Sequence, residues 1–151
     1  MLRKILNRGI HFIKFGFSFF RSGEPYVSDK IILMIDGDPD FCVLQADTLG
    51  KQGFRVLLAH TLESAAFQMN ARNPSIILLD HELPDGSGFS FLEKNESALE
   101  YKSVILMTAD PSAVSGVTTM IPGVINILQK PFPPDSLNKM VYLAAHFSRQ
   151  V

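Results

Sequence analysis

Four consecutive apolar residues, Ile76 to Leu79, lead into Asp80-His81-Glu82-Leu83 and then into Pro84, Asp85, Gly86 and Gly88. A run this short, closed by turn-forming residues, is too brief for a helix and lacks the alternation of a strand with one wet face. It predicts a strand buried on both sides, as in the middle of a parallel sheet. The run Ile31 to Ile35, ending in Asp36-Gly37-Asp38-Pro39, has the same character, and so does Val104 to Met107, ending in Thr108. Phe54 to Ala59 and Val124 to Leu128, the latter running up to Lys130-Pro131, complete five predicted strands.

Helical stretches separate them. One starts at Pro39 and stops near Gly53, with Asp38 as N-cap and with Phe41, Leu44, Gln45, Thr48 and Leu49 along one side. A second runs from Thr61, its predicted cap, to Arg72, where Asn73-Pro74 breaks it. A third spans about Phe89 to Asn95. The fourth, Ser112 to Met120, is weak because Gly116 and the β-branched Val117, Thr118 and Thr119 lower helix propensity. The last covers Pro134 to Phe147. Five strands alternating with five helices, (βα)5, predict an α/β architecture: a doubly wound, five-stranded parallel sheet with right-handed crossovers. After the last helix too little sequence follows for a second domain.

Residues 1–27 differ in kind from residues 28–151, and the two are read as an N-terminal extension with linker and a single folded domain. Before Glu24 there are five basic residues (Arg3, Lys4, Arg8, Lys14, Arg21) and no acid. The remainder holds nine basic residues against fifteen acidic ones, a balance of −6 within an overall charge of −1. Leu2, Ile5, Leu6, Ile13, Phe17 and Phe20 recur at roughly helical spacing. The Phe-rich run Ile10 to Phe20 is only eleven residues long, short of the ~20 that cross a bilayer. It carries Lys14 and lacks a small-residue cleavage pattern, which argues against a secretory signal. Residues 1–21 fit a basic interfacial helix that docks on anionic lipid or a partner, or else a leader without structure. An acidic domain predicts no nucleic-acid partner. Cys42 is the only cysteine, so it forms no internal disulfide and is expected to pack as a small apolar residue. Together these features predict a cytoplasmic protein, membrane-associated if the extension docks.

The predicted strand ends carry the chemistry. In an open parallel sheet, ligands collect beyond the carboxyl ends of the strands. Those ends hold Asp36 and Asp38 (first strand), Asp80 (third), Thr108 (fourth) and Lys130 (fifth). Singly, each has a plain explanation: a helix cap, a turn hydroxyl, a solvated loop charge. One per strand end, on one side of the sheet, they form a site. Clustered carboxylates raise one another's pKa unless a cation joins them, and oxygen ligands with partial hydration suit Mg²⁺. A carboxylate beside Mg²⁺ and a lysine is a competent nucleophile toward phosphorus, with the lysine and a threonine hydroxyl contacting the phosphoryl oxygens.

In Ile31–Asp36, the Asp80–Gly88 loop, Met107-Thr108-Ala109 and Lys130-Pro131-Phe132, the stretch Lys30 to Phe147 resembles the receiver domain of two-component response regulators, of the CheY-like single-domain type. The resemblance implies a flavodoxin-like strand order, 2-1-3-4-5. It implies that Asp80 is the phosphoacceptor, receiving its phosphoryl group from a sensor histidine kinase or phosphotransfer protein. Thr108 and Lys130 become the phosphoryl-binding residues. Mg²⁺ falls to Asp36, Asp80 and the backbone carbonyl of Glu82, with Asp38 as an alternative ligand. A downstream protein partner, and a homodimer, are implied on the output side. Two positions depart from the pattern. Gly37 stands where the family places a second acid, which predicts weaker Mg²⁺ binding and slower phosphorylation. Ile127, at the switch position, replaces a common aromatic.

Two other readings remain open on sequence. A degenerate receiver would bind partners without phosphorylation, which Gly37 and Ile127 favour. Asp36-Gly37-Asp38 also resembles the Asp-x-Asp start of haloacid dehalogenase-type phosphatases. In that reading Asp36 is the nucleophile and Asp38 the general acid. It leaves Asp80 unused, puts Asp40 where Thr or Val is usual, and lacks a later metal-binding acid. The main reading is therefore a signalling domain rather than a turnover enzyme.

Overall fold

A computed structural model describes residues 30–147. The N-terminal extension, with its membrane-contact expectation, lies outside the described residues. Five parallel strands form the sheet: β1 (Ile31–Ile35), β2 (Arg55–Ala59), β3 (Ile76–Asp80), β4 (Ser103–Thr108) and β5 (Val124–Gln129). Their order across the sheet is β2-β1-β3-β4-β5, and every pairing is parallel. This is the doubly wound arrangement, with β3 central as its apolar run predicts.

Burial explains the continuous apolar runs. Leu33, Ile35, Ile77, Leu79, Val104 and Leu106 point to one face of the sheet. Ile32, Met34, Ile76, Leu78, Ile105 and Met107 point to the other. Alternate residues of the same strand thus enter different cores, so the middle of each of these strands is apolar throughout, and the buried polar Ser103 and Thr108 stand at the two ends of β4. The first face is covered by α2 (Leu62–Arg72), α3 (Gly88–Lys94), the short α4 (Glu96–Leu99), a 3₁₀ turn (Pro111–Val114) and α5 (Val117–Met120). The second is covered by α1 (Pro39–Gly50) and α6 (Pro134–Phe147).

Several local expectations change in detail. The buried stripe of α1 is Cys42, Gln45 and Leu49, whereas Leu44 is 62% exposed. The Asp38 cap and Pro39 fix where the helix starts and therefore its phase, so small Cys42 faces the sheet and Leu44 faces solvent. Cys42 packs as expected of a small apolar residue, and burial, with Asp36 adding, pushes its thiol pKa up to about 12. The predicted Ser112–Met120 helix is split in two. Gly116 sits at φ +81°, a left-handed conformation that no helix interior tolerates. Asn95 ends α3 by donating from Nδ2 to the Phe91 carbonyl at 2.8 Å, and α4 follows where no helix was expected. The loop after Asp80 contains a small hairpin, with Glu82–Leu83 antiparallel to Gly86–Ser87.

Candidate functional site

The pairing register brings the predicted site residues to one level. Ile35 pairs with Leu79, so Asp36 and Asp80 each stand one step beyond that pair, side by side. Asp80 faces Met107 across to β4, and Thr108 faces Gln129 across to β5, which places Thr108 and Lys130 one step further out. Lys130 is tied to this edge by its backbone N–H, which donates to the Thr108 carbonyl at 2.8 Å. Its side chain reaches back across the strand ends. Lys130 Nζ donates to Asp36 Oδ2 at 2.5 Å and lies 3.3 Å from Asp80 Oδ2.

The electrostatics follow from burial. Asp36 is 1% exposed, and its Oδ1 accepts from the Asp38 N–H at 3.0 Å. Burial raises the pKa of Asp80, and the Asp36 charge adds to the rise against the opposing pull of Lys130. For Lys130, burial acts to lower the pKa. The hydrogen bond and charge of Asp36, with Asp80 assisting, outweigh it and leave the ammonium more firmly protonated. Two acids and one cation thus share a site of reduced dielectric, with Asp80 the more solvent-open carboxylate.

The other expected residues are placed as follows. Thr108 is buried, and its hydroxyl closes on its own loop, accepting from the Asp110 N–H and donating to the Asp110 carbonyl, both at 3.1 Å. Glu82 lies in the hairpin after Asp80, and a backbone hydrogen bond from it reaches the Asp80 carboxylate. Ile127 packs, half-buried, against the core on the α2–α3 side. Asp38 does not join the cluster. Its Oδ1 accepts from the N–H groups of Asp40 (3.0 Å) and Phe41 (3.1 Å), so it caps α1.

A divalent cation would find the carboxylates of Asp36 and Asp80 here, both beside the Lys130 ammonium. No group of three or more His, Cys, Asp or Glu side chains suited to a metal exists among the described residues. Two carboxylates leave most of an octahedron to other oxygens and water, which fits the hard, strongly hydrated Mg²⁺ better than a metal that demands a full protein cage.

Three features were not anticipated. Gly88 is required at the start of α3 because a Cβ there would stand 2.5 Å from the Asp80 carbonyl oxygen. Asp85 accepts from the N–H groups of Leu62 (2.8 Å) and Glu63 (3.1 Å), fastening the acceptor loop to the N-terminus of α2. Its partners are more than twenty residues away, so no local pattern announces it. Phe41 lies beside Lys130; its position in the first turn after the Asp38 cap is the signal that points there.

Residues 32–142 match the sequence profile of the response regulator receiver domain. The phosphate regulon transcriptional regulatory protein PhoB of Escherichia coli K12 is 32% identical over 108 residues, covering 70% of this chain and 47% of PhoB. The chain thus spans about half the length of the curated relatives it matches. A two-component response regulator from Clostridium difficile superposes with a TM-score of 0.71 at 25% identity, over 81% of this chain and all of that one. The Thermotoga maritima response regulator TrrA, solved in complex with Mg²⁺ and BeF, superposes with a TM-score of 0.66 at 25% identity, over 75% of this chain and 96% of that one.

Proposed function

We propose that this chain, which belongs to the response regulator receiver domain family, accepts a phosphoryl group on Asp80 from a sensor histidine kinase or phosphotransfer protein. Its family places it in two-component signalling, in which receiver domains are signalling domains rather than typical turnover enzymes. The observation that carries the assignment to Asp80 is the shared ammonium: Lys130 lies 2.5 Å from Asp36 and 3.3 Å from Asp80. A carboxylate oxygen of Asp80 attacks phosphorus, the new O–P bond forms as the P–N bond of the donor phosphohistidine breaks, and the imidazole leaves with the electron pair. Lys130 neutralises charge on the phosphoryl oxygens. Thr108 releases the Asp110 backbone and turns its hydroxyl toward the phosphoryl group, drawing the following loop with it. Mg²⁺, held by Asp36, Asp80 and the Glu82 carbonyl, supplies charge neutralisation when bound. Phosphorylation adds about two negative charges, and the moved Thr108 loop changes the protein-binding surface near Ile127.

Beryllofluoride, an acyl-phosphate mimic, tests this reading. With Mg²⁺ it is expected to shift the amide resonances of Thr108 and Lys130, and the shift is lost in Asp80→Asn. No shift in wild type would favour the competing reading, a receiver that binds partners without phosphorylation, which the missing acid at Gly37 supports. The basic residues of 1–21 further support contact with anionic membrane. Removing residues 1–22 should abolish binding to anionic liposomes, and unchanged binding would end that idea. A homodimer is also proposed on the output side, with sedimentation before and after beryllofluoride as its check.

A further inference from the structure

The Lys130 ammonium has a third neighbour besides the two carboxylates. It stands 4.6 Å from the centroid of the Phe41 ring, inside the ~6 Å over which an aromatic quadrupole attracts a cation. The Lys130 side chain is 23% exposed, so water screens this attraction less than at an open surface. Phe41 is held in turn by Phe132, whose ring meets it edge-on with centroids 5.9 Å apart and planes at 71°. Both rings border the core formed by α1 and α6. The chain path explains the placement. Asp38 caps α1 through the Asp40 and Phe41 N–H groups, and Phe41 therefore falls in the first turn, next to the strand end that carries Asp36. Asp36 and Phe41 belong to one βα unit and grip the ammonium together, which matches its closer approach to Asp36 than to Asp80.

We propose that Phe41 is a positioning residue: its ring, backed by Phe132, holds the Lys130 ammonium between Asp36 and Asp80, ready to meet a phosphoryl group. The inference rests on the reading of Asp80 as phosphoryl acceptor for its consequence, although the placement of Lys130 can be tested apart from it. Position 37 is glycine and contributes no side chain to this grip, so an aromatic takes part where only two acids are present. The ring acts on the lysine and touches no reacting atom.

The test uses the full chain with ¹³C-labelled lysine, the Lys130 signal being assigned by its loss in Lys130→Arg. A cation seated on a ring face has its ε-methylene protons shifted upfield by the ring current. That shift is expected in wild type, kept in Phe41→Tyr and lost in Phe41→Leu, which preserves bulk without the quadrupole. In parallel, labelling of Asp80 by acetyl phosphate should slow about three- to tenfold in Phe41→Leu, the range set by a partly desolvated cation–π contact. Stepwise fluorination of the Phe41 ring, which drains the quadrupole at nearly constant shape, should slow it progressively. Absence of the upfield shift in wild type, or labelling rates unchanged across the fluorinated series and Phe41→Leu, would overturn the proposal. An upfield shift in a wild-type protein that takes no label would instead count against the acceptor reading alone and leave the placement of Lys130 by Phe41 standing.

Discussion

At Gly37 an ideal Cβ would stand 3.2 Å from Pro84 Cδ and 3.5 Å from Pro84 Cγ. The ring of the acceptor loop has settled close to where a side chain would begin. Restoring an acid here would add a hard oxygen ligand, but Pro84 must yield by a few tenths of an ångström to admit it. Gly37→Asp is therefore expected to raise Mg²⁺ affinity by roughly tenfold or more, as gaining a metal ligand outweighs a small local shift. Combining it with Pro84→Ala should raise the affinity further, since the obstacle is then removed. Titration calorimetry with Mg²⁺ reads both steps, and no gain in either variant would show that position 37 does not limit the site. Gly88 presents the opposite case. A Cβ would lie 2.5 Å from the Asp80 carbonyl oxygen, 3.1 Å from His81 Cα and 3.2 Å from Leu79 Cγ, and backbone cannot give way as a proline ring can. Gly88→Ala should cost about 1–3 kcal/mol and displace Asp80 itself. Urea denaturation checks the first effect, and loss of acyl-phosphate labelling beyond what the remaining folded fraction explains checks the second.

The elements divide into those specified locally and those that depend on distant contacts. The strand ends were legible in the sequence because Ile31–Ile35 and Ile76–Leu79 admit no polar face, and the Thr61 and Asp38 caps because they sit directly before their helices. The α1 stripe was not, because Cys42 is smaller than Leu44 and only the phase set by the cap decides between them. The break at Gly116 needed its positive φ, which propensity alone signals only as weakness. Least visible was the Asp85 contact, whose partners Leu62 and Glu63 are remote in sequence. That contact makes a prediction for α2 and the acceptor loop together. Hydrogen bonds from the Leu62 backbone first, and then from Glu63, lower the Asp85 pKa. A carboxylate depressed in the folded state contributes stability above its unfolded value, about 3.9, and that contribution is lost as pH falls through the folded value. Asp85→Asn should therefore melt below wild type at pH 6, with the gap closing under about pH 4. A gap that persists unchanged at pH 3 would mean that the charge plays no part.

Across the whole molecule the parallel sheet does one thing for function: it delivers Asp36, Asp80, Thr108 and Lys130, spread over ninety-four residues from Asp36 to Lys130, to a single edge. Two cores, one on each face, hold the strands that carry them. The long side chain of Lys130 then joins strands that are not neighbours, so the cluster reports on the alignment of the whole sheet rather than on any one loop. Among the described residues no helix is long and apolar enough to cross a membrane. The central claim is that this edge carries phosphoryl-transfer chemistry at Asp80, weakened but not abolished by Gly37. The most direct measurement is phosphotransfer from acetyl phosphate in the presence of Mg²⁺, comparing wild type with Asp80→Asn by intact mass. The account predicts a single added phosphoryl group on wild type, formed slowly and absent from Asp80→Asn; equal labelling of the two proteins, or none in wild type at saturating Mg²⁺, would contradict it.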